Sequence, residues 1–154
     1  MNGAHLHLLL NHIPVLGTIF GLALLAFAVW RGSEDVKKAA LGTFVIVGLL
    51  TIPTYLTGDP AWHTVKGLPG VSASVFHRHD NAASIAFTGS SILGVLALGG
   101  LIWFRGGKPV KRSFAALVLA AAVIVSGLMA WTANLGGQIR HTEIRTSAVT
   151  DANR

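Results

Sequence analysis

Seven histidines stand in a chain of 154 residues that has no cysteine. Imidazole is therefore the main donor this chain can offer a transition metal or a haem iron. The missing thiols exclude disulfides, iron–sulfur clusters, thiolate metal sites and covalent c-type haem, which needs C-x-x-C-H. His5, His7 and His12 lie in "HLHLLLNHIP"; His63, His77 and His79 follow in the middle of the chain, and His141 stands in "IRHTEIR". On a helix, His5 and His12 share a face about two turns apart, and His7 and His12 diverge by about 140°. His77 and His79 point to nearly opposite faces. No pair has the i,i+4 spacing that grips one small ion from one helix. Ligands from different helices are the natural arrangement. That suits an iron porphyrin, with one axial imidazole on each side, or a metal ion held between helices.

The elements that must position these residues are apolar. The chain is 52% hydrophobic and 12% charged, about half the charge of an ordinary soluble domain. Four apolar runs, about 8–30, 39–56, 77–104 and 113–134, approach or exceed the ~20 residues that cross a bilayer. The expected fold is all-α: an integral membrane four-helix bundle, up-down-up-down, over residues 1–135. Residues 136–154 form a polar tail. The start, Met-Asn-Gly-Ala-His, has no basic n-region, so no cleaved signal peptide is expected and the first helix is retained. Arg31, Lys37 and Lys38 follow the first run, and Arg105, Lys108, Lys111 and Arg112 follow the third. The second connection has Lys66 and Arg78 against Asp59 and Asp80. The positive-inside rule makes the first and third connections cytoplasmic, and both termini and the central loop periplasmic. The localisation that follows is the bacterial inner membrane. The net charge of +6 is then topogenic, with no nucleic-acid partner implied.

Such a bundle gathers all seven histidines at one end. In the third run, His77, Asn81, Ser84, Thr88 and Ser91 make a polar stripe, and His79, Ala82, Ala83, Ala86 and Ser90 a face of small residues. Both patterns suit helix packing, and both could also line a cofactor pocket. Gly17 and Gly21 form a G-x-x-x-G pair with the same two readings. Arg78 and Arg140, each beside a histidine, are candidates for haem propionates, or else pair with lipid headgroups. Pro14 is tolerated in a first helical turn. Asn11 could therefore cap the regular span, with His5 and His7 in a short lead-in; one kinked helix is the alternative.

The segments "HLLLNHIPVLG" and "LGGQIRHTEIR" resemble a family of bacterial four-helix inner-membrane proteins of poorly defined function, some described as predicted haem-binding proteins. The family pattern is His-x4-His-x-Pro at the first helix, a histidine opening the third, and Gly-Gly followed closely by histidine after the fourth. Here it falls on His7, His12 and Pro14, on His79, and on Gly136, Gly137 and His141. The chain departs from it at Leu8, where many relatives have proline, and at Asn11, which is usually apolar. The resemblance implies haem as the cofactor.

The leading expectation is a membrane b-type cytochrome or cytochrome-like subunit. It would hold one or two haems b near the periplasmic face through His7, His12, His79 and His141, with His5 and His77 as secondary candidates. Its role would be electron transfer with quinol or a periplasmic or membrane redox partner, as a subunit of a quinol-linked oxidoreductase. An oligomer is expected. The alternative is a zinc or copper site at His63, His77 and His79. A third class is a non-redox structural subunit of a larger membrane complex, or a small transporter. Nothing in the chain suggests a nucleophile motif, a phosphate loop or a carboxylate pair within the spans.

Overall fold

The computed structural model describes residues 2–145. Residues 146–154, the outer part of the expected tail, lie outside the described residues. Six helices follow one another: α1 (Gly3–Leu10), α2 (His12–Arg31), α3 (Glu34–Leu56), α4 (Gly58–Val65), α5 (Ala73–Trp103) and α6 (Arg112–Gln138). A single 3-10 turn, Thr142–Ile144, follows them. Four stretches are long and apolar enough to cross a membrane: Gly3–Arg31, Glu34–Val65, Ala73–Trp103 and Arg112–Gln138. The protein is a four-helix membrane bundle in contact with lipid.

Local chemistry explains the breaks. Gly32, at φ +68°, closes α2 in a left-handed conformation, which a side chain would strain. The Ser33 N–H then reaches back to Ala28 O at 3.0 Å. The Ser33 side chain accepts from Val36 N–H, and Glu34 and Asp35 fill the first turn of α3, where acids favour the helix dipole. At the other end, Asn11 separates α1 from α2 without capping by its side chain. Pro14 has no N–H to return to the Leu10 carbonyl. That oxygen instead accepts from Thr54 Oγ1 of α3, at 3.4 Å. Orphaned backbone groups in a membrane need such substitutes. The central connection is partly helical as well: α4 lies against α1, and Ser72 caps α5 ahead of both His77 and His79.

The helices form a ring in which α2 and α5 each pack on α3 and α6, so α2 and α5 are diagonal. The interior is rich in small and hydroxyl residues: Thr18, Ala40, Thr51, Ala82, Ala86, Ser90, Ala97 and Ala122 are buried. Leu25, Leu41, Phe44 and Leu93 are buried among them, while many other large apolar side chains point outward. Leu16, Phe20, Val95 and Ile124 are all more than half exposed, as lipid-facing residues should be. Gly17 and Gly21 bring α2 against Val47 and Phe44 of α3. Gly48 and Gly94 let the backbones of α3 and α5 meet. The small-residue face of the third span is therefore a packing face: Ala82, Ala86 and Ser90 are buried, and Ser90 bonds Thr51 at 3.2 Å. The hydroxyls of the polar stripe are satisfied by protein. Tyr55 bonds Ser84 at 2.9 Å, while Thr88 and Ser91 return to carbonyls of their own helix.

At the lysine-rich end, Glu34 joins two segments. One oxygen holds Lys37 at 2.7 Å, and the other accepts the Val110 N–H at 2.7 Å. Glu34→Ala should free the Val110 loop and leave Lys37 without its partner. Glu34 is partly exposed, so the expected loss is only about 1 kcal/mol. Thermal unfolding in detergent, against the Glu34→Gln variant, measures it; an unchanged midpoint would refute this role.

Candidate functional site

The histidines do not share one environment. His5, His12, His63, His77 and His141 are exposed, and only His7 and His79 are half-buried. His7 lies on α1, one turn before Asn11. Its Nδ1 sits 3.1 Å from Thr54 O and 3.1 Å from Thr57 Oγ1, at the joint between α3 and α4. His79 lies on α5, and its Nδ1 is 3.0 Å from Thr132 O of α6. A carbonyl oxygen can only accept, so each Nδ1 must carry the proton. In the neutral ring this leaves the Nε2 lone pair free. Metal-ligating histidines are commonly fixed in this way, with Nδ1–H on a carbonyl and Nε2 as the donor.

His7 lies on the line of α1 and α2, and His79 on α5, diagonal to α2. A side chain at position 136 would crowd His79: a Cβ there would lie 3.0 Å from His79 Cε1. Gly136 of α6 thus leaves room for the ring. Asn11 Oδ1 is buried with no hydrogen-bond partner among the described residues. Asn11 stands four residues after His7, on the same helical face, so an acceptor without a donor accompanies the first histidine.

The remaining candidates are placed elsewhere. His12 stands on an outward face at the start of α2. His63 contacts Asp59 at 3.6 Å and Lys66 at 3.2 Å on the surface of α4. His77 meets the edge of Phe76, whose ring stacks on Trp62 at 4.1 Å. His141 donates Nδ1–H to Glu143 at 2.8 Å in the exposed turn after α6. Glu143 is held below the ordinary carboxylate range, first by its own backbone N–H and then by the His141 ring. Arg78 is exposed on α5, and Arg140 donates to Pro69 O at 2.8 Å. Among the described residues no group of three or more histidine and carboxylate side chains is placed to hold a metal ion.

Sequence reasoning passed over several contributors. Thr54, Thr57 and Thr132 act through carbonyls and a hydroxyl, and a carbonyl leaves no trace in residue type. Arg145 is a further residue that the sequence does not single out. It bonds Gln138 O, Ile139 O and Gly70 O at 2.8, 2.8 and 2.6 Å, joining the end of α6 to the loop before α5. No family model, curated protein or solved structure matches the chain.

Proposed function

We propose that the protein binds one haem b between His7 and His79 and serves in electron transfer at one face of a bacterial inner membrane. The observation that carries this reading is the matched pair. Two half-buried imidazoles, on α1 and α5, each have Nδ1–H tied to a main-chain carbonyl, and neither Nε2 has a hydrogen bond among the described residues. Two neutral imidazole donors would suit a porphyrin iron, which His7 and His79 would hold. The likeness of "HLLLNHIPVLG" and "LGGQIRHTEIR" to a family with predicted haem-binding members supports it. When bound, the iron supplies a one-electron couple. The chain's own residues fix both imidazoles in one tautomer, and Gly136 leaves room for the His79 ring. By the positive-inside rule, the histidine end faces the periplasm. Electrons would come from quinol or pass to a periplasmic or membrane redox partner. With both ligands at one end, the chain would work at one surface, as a subunit.

Zinc or copper is the second reading, favoured by the same free Nε2 pair. A structural zinc takes four ligands and a catalytic one three, so a partner chain would have to complete that site. The visible spectrum of protein purified from haem-replete cells separates the two. Haem predicts a Soret band with sharp α and β bands on reduction. A colourless protein carrying stoichiometric zinc or copper would replace the first reading with the second.

A further inference from the structure

At the opposite end of the bundle a cavity of about 350 Å³ opens among α2, α3 and α6, lined by Val29, Trp30, Gly32, Lys37, Arg112 and Ala115. Two of the six lining residues are cationic. Lys37 is buried and gives one of its donors to Glu34. Arg112 is exposed at the start of α6, and its guanidinium has no hydrogen bond or ion pair among the described residues. Its fork of donors matches phosphate geometry. Lys38, Lys108 and Lys111 add positive charge nearby in sequence, against Glu34 and Asp35.

The outer wall of the cavity is apolar. Trp30 is 77% exposed and meets Phe27 edge-on at 6.0 Å, with Phe27 itself about half exposed. Phe20, Phe27 and Trp30 continue down the outside of α2, where acyl chains run. Arg31 lies 5.8 Å from the Trp30 ring centre. A cationic pocket closed by an interfacial tryptophan, above an apolar helix face, fits a molecule with an anionic phosphate head and hydrocarbon tails.

We propose that this cavity binds the headgroup of an anionic phospholipid, with its phosphate on Arg112 and Lys37 and its chains against Phe27 and Trp30. A zwitterionic choline head would bring a cation towards the same two cations. The site is independent of the histidine pair.

The test uses the full chain in detergent, titrated with phosphatidylglycerol, phosphatidylcholine or inorganic phosphate and read by native mass spectrometry and thermal shift. Arg112→Gln is compared with Lys108→Gln, which removes the same charge outside the pocket. Lys37 is left intact because it holds Glu34. Phosphatidylglycerol should be retained over phosphatidylcholine. Arg112→Gln should weaken that retention about tenfold and Lys108→Gln less than about twofold. Equal weakening by both variants would mean unspecific surface attraction and overturn the site. Protection by inorganic phosphate matching that of phosphatidylglycerol would overturn the lipid as its source.

Discussion

His79→Ala is expected to abolish the reduced α and β bands and to lower haem content at purification at least about tenfold. His7→Ala should do the same. Each change removes one Nε2 and leaves the carbonyl of Thr132 or Thr54 without its imidazole partner. His12→Ala and His63→Ala should leave the spectrum unchanged, because both side chains are exposed. Gly136→Val serves as a separate check on geometry. It keeps both ligands but drives side-chain atoms into the His79 ring, since a Cβ alone would already lie 3.0 Å from Cε1. Its spectrum should weaken or shift while the helical signal in circular dichroism stays constant. A normal spectrum in His79→Ala, with loss in His12→Ala, would reverse the assignment.

Gly48→Leu is expected to cost about 3 kcal/mol or more, the upper range for overpacking. A Cβ on Gly48 would lie 3.3 Å from Gly94 Cα and 3.4 Å from Ser90 O. These are backbone atoms of α5, so no side-chain rotation relieves the clash and the two helices must separate. Membrane helices associate largely through close packing at small residues, so this contact is hard to replace. The damage should also reach the histidine site. α3 carries Thr54, the partner of His7, and α5 carries His79. Gly99→Leu is the control: nothing lies within 4 Å of a Cβ at that position. It should unfold at or above the temperature of the unsubstituted protein, since leucine favours helix over glycine. The two melting curves in detergent decide the matter. Equal midpoints would mean that the Gly48–Gly94 approach contributes nothing.

The bundle was legible because its cause is coarse. Four apolar runs of spanning length leave few folds open in a bilayer. The packing role of Gly17, Gly21 and the Ala82–Ala86–Ser90 face was one of two readings, and the observed contacts select it. The histidine cluster was legible only as a tendency. Topology gathers these residues at one end, but exposure separates His7 and His79 from the rest, and exposure depends on helix rotation. A seven-residue spacing relates His5 to His12 without saying which way that face turns. Asn11 looked like a cap, yet its side chain does not cap α2 and its buried oxygen has no hydrogen-bond partner among the described residues. The Thr54 hydroxyl on Leu10 O answers the missing N–H of Pro14. That repair joins residues far apart in sequence, where local pattern gives no warning.

Electron paramagnetic resonance of the ferric protein, with haem counted against chain, tests the central claim most directly. Two imidazoles fixed through Nδ1–H to carbonyls predict a low-spin signal from one haem per chain, turning high-spin or vanishing in His7→Ala and in His79→Ala. A chain purified without haem from haem-replete cells, or a signal that survives both substitutions, would contradict the account.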